Sequence, residues 1–483
     1  MTVTTRYHAP EPVPPSNFRD AQALAELFVG VFRRDLQAFF PRARFEADPA
    51  RPSPGDLRLG PRFRVIPAGD PRGDHDGDEI ELFGCRYGVG PCRGGAFSPH
   101  ELRMVGAIGA VASLRYHLMF QAGASPRMDL FRGGSDDHYV AAFIEPSTYS
   151  LSTSRPCRIA STIQTLRTAA LSTYENRRVS TGALLLGSTG ATMATSPEAL
   201  AYGVELTALK SVHRLCDGGR TLFLVDREGR LAEVIDVRRW AANVPPREPS
   251  GDQADAGGEV PFATSYTAHA RATRSGGHVC LVLSPNQEIK VFSEGAQVFS
   301  FAHGRWRILD AASKYAVWRE AVANEPLARS LYQTALDLSE ARQGGLFVVV
   351  EDPCEAVGRL VAPQDALDEI APRDPLETFN PGDPLAKRAL HYLARGRAIA
   401  TLDSSVLEAL ATLDGAVVAD RAGRLIAFGA ILRHDASLLP APITAEGART
   451  TAALIASRFG PVLKVSEDGV VSCFLRGARA WEL

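Results

Sequence analysis

The stretch Asp414-Gly-Ala-Val-Val-Ala-Asp420-Arg-Ala-Gly-Arg424-Leu-Ile-Ala-Phe-Gly-Ala-Ile-Leu432 decides the fold of the C-terminal part of the chain. Two apolar runs of strand type flank a turn at Arg421-Ala-Gly-Arg424, which is the signature of a β-hairpin. A carboxylate, Asp414, opens the hairpin where a helix over Val406 to Leu413 hands over to the first strand. Working outward, Glu446-Gly-Ala-Arg-Thr-Thr-Ala-Ala453 opens a short helix. Gly460-Pro-Val-Leu-Lys-Val-Ser466-Glu-Asp-Gly-Val-Val-Ser472 then forms a further strand pair.

The order of these motifs resembles the diadenylate cyclase (DAC) domain, which joins two ATP molecules into cyclic di-AMP. Asp414-Gly415-Ala416 matches the family's Asp-Gly-Ala. Gly447-Ala448-Arg449-Thr450-Thr451-Ala452-Ala453 keeps the spacing of its Gly-Thr-Arg-His-Arg-Ala-Ala, with Thr450 and Thr451 standing where the family has His and a second Arg. Ser466-Glu467-Asp468-Gly469 is a form of its Val-Ser-Glu-Glu turn, one residue shorter. The resemblance implies nucleotide contacts from Asp414, Gly415, Ala416, Gly447, Arg449, Thr450, Thr451, Ser466 and Glu467. Asp414 would be the catalytic carboxylate of an active enzyme, and Asp414 with Glu467 would hold Mg or Mn. Phosphodiester formation needs cationic donors on the phosphates, and removing one preorganised donor costs on the order of 10²- to 10³-fold in rate. With two such groups replaced by hydroxyls, the expectation is binding with little or no turnover, similar to the DACNV-type probable sensors. Metal is expected only if the site is catalytic.

Composition narrows the partners. With 483 residues the chain exceeds one ordinary core, and 45% apolar with 22% charged residues is a globular composition. A net charge of −2 argues against a nucleic-acid or anionic-membrane surface. Seven cysteines without a CxxC pair read as the reduced thiols of a cytoplasmic protein. Met104 to Phe120 is the most apolar helix candidate, and Arg115 and His117 within it mark a core helix rather than a span.

Residues before 20 read as a Pro-rich arm, and Asp20 to Phe40 as an amphipathic helix. The acidic run Asp70-Pro-Arg-Gly-Asp-His-Asp-Gly-Asp-Glu79 lacks calcium-loop spacing and reads as a solvated loop. Ser98-Pro-His-Glu101 is a capping box opening a helix to about Phe120. Tyr139-Val-Ala-Ala-Phe-Ile144 reads as a strand after a turn at Asp136, Asp137 and His138.

The remainder reads as a tandem repeat. Helices around Ile163 to Tyr174 and Leu327 to Leu338 each precede a strand, Thr181 to Leu186 and Gly344 to Val350. The turns Asp226-Arg-Glu-Gly-Arg230 and Asp420-Arg-Ala-Gly-Arg424 match. From each Asp to the matched serine are 58 residues in one copy (226 to 284) and 46 in the other (420 to 466), with insertions at Asn243 to Gly258 and Pro363 to Lys387. In the first copy a helix is expected over Leu206 to Leu215. His269 and Arg271 there lie near where the Arg-His-Arg motif belongs, without its spacing.

The expected architecture is α+β or α/β: an N-terminal α+β domain over 1–150, an eroded DAC-like unit over 155–310 and a better preserved one over 325–483. Three functions stand open: a nucleotide or cyclic-dinucleotide sensor with a protein effector, an active divergent diadenylate cyclase, and a structural scaffold without ligand. The family pairs two domains face to face, which allows an intramolecular pair or a homodimer. No membrane and no nucleic acid are expected as partners.

Overall fold

The computed structural model describes residues 18–47, 63–69, 77–92, 96–120, 127–150, 153, 155–187, 200–208, 212–245, 260–367, 394, 396–433 and 447–483. The Pro-rich arm, the acidic segment 70–76 and the bulk of both expected insertions lie outside them. The fold is mixed α+β, with helices flanking mixed sheets. It divides into two compact units, Met1–Arg247 with Ala268–Leu309, and Glu248–Thr267 with Asp310–Leu483.

In the first unit, strands β1 (Arg44–Ala47), β2 (Arg64–Ile66), β3 (Asp78–Leu82) and β4 (Cys85–Gly90) form a sheet ordered β1-β4-β3-β2. Asp78, at the end of the acidic run, is buried, and its carboxylate accepts from the backbone N–H groups of Ala68 (2.9 Å) and Phe97 (2.6 Å). It pins two loops to the sheet. The capping box forms as read: Glu101 N donates to Ser98 Oγ at 3.2 Å and Ser98 N to the Glu101 carboxylate at 2.8 Å, opening the helix Pro99–Phe120. That helix packs into the core through Met104, Ile108 and Val111, and among the described residues no helix is long and apolar enough to cross a membrane.

The Tyr139–Ile144 strand is a correction. Ser135–Ile144 is a helix, and every residue from Asp137 to Phe143 is buried. Burial on all sides erases the amphipathic period, so the run looks the same for a buried strand and a buried helix. Residues on both sides of position 150 share one core, in which Phe143 meets Phe299 edge to face at 4.9 Å.

After a short hairpin of β5 (Thr173–Tyr174) and β6 (Arg177–Arg178), a seven-stranded sheet follows. Its strands are β7 (Thr181–Leu185), β8 (Thr221–Val225), β9 (Leu231–Asp236), β10 (Val279–Leu283), β11 (Ile289–Ser293), β12 (Ala296–Ala302) and β13 (Arg305–Ile308), ordered β13-β12-β11-β10-β7-β8-β9. The helix expected over Leu206 to Leu215 is instead a 3₁₀ turn, Val204–Ala208, and a single helical turn, Val212–Leu215.

The second unit's sheet contains β14 (Gly345–Val350), β15 (Ala416–Asp420), β16 (Leu425–Ala430), β17 (Val462–Val465), β18 (Val471–Leu475) and β19 (Ala478–Glu482), ordered β16-β15-β14-β17-β18-β19. β14 and β15 are parallel and the other neighbours antiparallel. The first sheet has the same order and polarity from β9 to β12, with β7 and β8 as its parallel pair. The turns agree as well. Asp226 and Asp420 are both buried, and each accepts through Oδ1 from the backbone N–H four residues on, Arg230 at 2.7 Å and Arg424 at 2.8 Å.

Alternate residues of β14, β15 and β17 enter different cores. Phe347, Val349, Val417 and Leu463 pack on one face with the helix Glu325–Glu340. Leu346, Val348, Val418 and Val462 pack on the other with the helix Ala448–Ala456. Burial on both faces explains the uninterrupted apolar runs of this parallel pair.

Candidate functional site

The residues singled out by the sequence gather at one end of the second sheet, where β14 and β15 begin and β17 ends. Asp414 is exposed, immediately before the glycine that starts the hairpin. Gly415 has φ of +117°, and a Cβ there would lie 2.4 Å from the Gly429 carbonyl carbon on β16. Only glycine admits this approach. Ala416 is buried and pairs with Ala430, so within Asp-Gly-Ala the last two residues shape the strand and Asp414 alone faces solvent.

Over β14 and β17, the helix Ala448–Ala456 begins at Gly447, which caps it without a side chain. Arg449 sits in the first turn, where the helix dipole disfavours a cation. Glu467, from the turn after β17, compensates with an ion pair at 3.0 Å. The guanidinium lies across Gly344, at which a Cβ would come within 2.3 Å of Arg449 Nη1. Gly344 is thus the floor that the arginine rests on.

Thr450 is buried and accepts from Lys464 Nζ at 2.9 Å. Strand parity alone did not orient Lys464. Its partner in β14 is Leu346, which packs on the helix Ala448–Ala456 side, and the lysine follows it there. Two cations therefore converge on one helical turn, and the second escaped the motif comparison. Thr451 is half-buried beside them.

Ser466 is committed to its own turn. Its hydroxyl is hydrogen-bonded to the Asp468 carboxylate and to Val470 O at 3.0 Å. The same turn is clamped from the helix Glu325–Glu340 side by Ser339 Oγ, which donates to Gly469 O at 2.5 Å, and by Arg342, which donates to Asp468 O. Among the described residues no group of three or more His, Cys, Asp and Glu could hold a metal ion. Of the expected pair Asp414 and Glu467, Glu467 is turned to Arg449.

The first unit lacks this arrangement. Gly295 N donates to Thr273 Oγ1 (3.1 Å) as Gly477 N donates to Ser457 Oγ (2.9 Å), which makes Thr273 the counterpart of Ser457. Counting back the same number of residues places Ser265 and Tyr266, in the 3₁₀ turn Thr264–Tyr266, opposite Arg449 and Thr450. His269 falls a turn later. It is buried, 2.8 Å from Gly218 O and against Phe292, and desolvation holds its pKa down to about 4, so the ring is neutral. Arg271 is exposed. These two residues do not form a cationic pair, because the helix carries one into the core and the other to solvent.

No family model matches the chain, and no curated protein matches it. Among solved structures it is similar to the crystal structure of a hypothetical membrane spanning protein from Bacillus cereus, at 20% identity and a TM-score of 0.21, over 35% of this chain and 69% of that one.

Proposed function

We propose that the chain is a nucleotide- or cyclic-dinucleotide-binding sensor built on a catalytically degenerate DAC-like fold, with its ligand at the Asp414 and Arg449 end of the second sheet. The observation that supports it is the convergence of Arg449 and Lys464 on the first turn of the helix Ala448–Ala456. The first backbone N–H groups of a helix point outward and favour an anion. Arg449 adds a planar fork suited to a phosphate. On binding, the phosphate takes the place of Glu467 as its counter-ion.

The β14–β15 register sets Asp414 beside Gly344, the glycine under the Arg449 guanidinium, at one strand spacing of roughly 5 Å. A ligand across this edge would meet Asp414 with its ribose or a metal and Arg449 with a phosphate. Lys464 restores one positive charge near Thr450 but is held by that hydroxyl, and Thr450 itself supplies no imidazole. Binding with little turnover follows.

In a thermal-shift screen with ATP, GTP and cyclic di-AMP, with and without Mn²⁺, at least one nucleotide is expected to raise the melting temperature, and mass spectrometry is expected to find no product. A hundredfold excess over Kd corresponds to about 2.7 kcal/mol. Arg449→Ala should abolish the shift. Gly344→Ala should weaken it without changing any charge, by displacing the guanidinium. Product that disappears in Asp414→Asn would establish an active cyclase instead, and no shift with any nucleotide would leave a scaffold.

A further inference from the structure

We infer that Glu467 is a built-in stand-in for the ligand's phosphate, and that the segment Val260–Tyr266 holds it on Arg449 by clasping the end of the helix Glu325–Glu340. This autoinhibitory contact rests on the nucleotide reading above, and all of its residues belong to the second unit except Arg342's neighbours in no other unit, so the chain of contacts is internal to one body.

Thr264 is the clasp. Its N–H donates to Asp337 Oδ1 at 2.6 Å and its hydroxyl to Asp337 Oδ2 at 2.9 Å, while Gln333 Nε2, one turn earlier on the same helix face, donates to that hydroxyl at 3.2 Å. Ala263 and Tyr266 are buried on either side of it, and Val260 packs on the core that contains Leu331, Ala335 and Leu338 of the helix. Asp337 is badly placed for a carboxylate. It lies in the last turn of a helix, where the dipole disfavours an anion, and burial raises its pKa, opposed by the two Thr264 donors and reinforced by Glu408. Docking of the segment is what makes the charge tolerable there.

The same helix end grips the nucleotide site. Gln343 N donates to Leu338 O at 2.9 Å and Arg342 N to Ser339 O at 3.2 Å, so the helix closes in a motif whose left-handed position, usually glycine, is Arg342 at φ +55°. From there Arg342 donates to Asp468 O, and Ser339 Oγ donates to Gly469 O at 2.5 Å. Both acceptors lie in the turn that carries Glu467, whose carboxylate occupies the Arg449 guanidinium at 3.0 Å. A phosphate has to displace that carboxylate, so whatever steadies the turn opposes binding. By linkage, a bound phosphate loosens the clasp by the same factor. The count that sets Ser265 opposite Arg449 sets Thr264 opposite Ala448, so the motif turn of the seven-stranded repeat serves as the clasp.

The test is calorimetric titration of the full chain, Glu467→Gln, Thr264→Val and the double variant with ATP and with cyclic di-AMP, alongside hydrogen exchange of peptides spanning 260–266. Glu467→Gln should bind up to roughly fivefold more tightly than the parent, the ceiling set by an exposed ion pair, and Thr264→Val about two- to threefold more tightly. In the Glu467→Gln background, Thr264→Val should add nothing. Saturating ligand should speed exchange at 260–266 in the parent and leave it unchanged in Glu467→Gln. Binding that depends on Arg449 but is no tighter in Glu467→Gln, or effects of the two variants that simply add, would overturn the clasp and leave the nucleotide reading standing. No binding of either probe to any of the four proteins would remove both.

Discussion

Replacing Arg167 with methionine is expected to destabilise the first unit by about 3–5 kcal/mol at neutral pH, the usual cost of stripping a buried charge of its partner. Arg167 pairs with Asp137 at 2.6 Å and Asp136 at 2.8 Å and lies 4.0 Å over the Phe301 ring. Asp137 is buried and also accepts from Trp306 Nε1 at 3.0 Å. Burial raises its pKa from 3.8 to about 6, opposed by Arg167 and reinforced by Asp136.

The sign follows from which state holds the proton. The folded chain keeps it to higher pH than the unfolded chain, so this group's contribution to stability is full below about pH 4, falls as pH rises to about 6 and is flat above. The fall is on the order of 3 kcal/mol. Without Arg167 the folded pKa rises further, so the variant should lose little in acid and most at neutral pH. Urea denaturation at about pH 5 and about pH 8 measures the difference. Equal losses at both would mean that Arg167 acts through packing on Phe301 rather than charge. Asp137→Asn added to the methionine variant should recover much of the loss at the higher pH.

Gly415→Ala is expected to cost roughly 2–6 kcal/mol, combining about 1–3 for an L-residue in that backbone region with about 1–3 for moving a packed neighbour. The neighbour is the backbone of Gly429, which cannot rotate away. The hairpin would have to open at its first pair, Ala416 with Ala430. Asp414→Asn, one residue earlier and exposed, should leave stability within about 0.5 kcal/mol of the parent. Denaturation of the two variants side by side separates the motif's packing role from any chemistry. A stable Gly415→Ala protein would mean that β16 can shift at no cost.

Local chemistry made much of the fold legible. The Ser98 and Glu101 caps and the twin turns after Asp226 and Asp420 are each set within a few residues. What was not legible depends on distant partners. Asp137 and His138 looked like turn residues because Arg167, Trp306 and Tyr149, which make them tolerable in a helix core, come from elsewhere in the chain. The candidate site divides the same way. Arg449 was readable from its motif, whereas its seat on Gly344 and the arrival of Lys464 beside Thr450 depend on which strands neighbour β14.

Ser265, the counterpart of Arg449 in the seven-stranded repeat, bears on stoichiometry. With Ser265 unable to hold a phosphate by charge, the duplicated architecture presents one competent half per chain, and a titration on the proposed reading should end at one equivalent of nucleotide. Joining two nucleotides would then require two chains to meet. Any product would form at a rate second order in protein concentration, whereas simple occupancy would not depend on dilution.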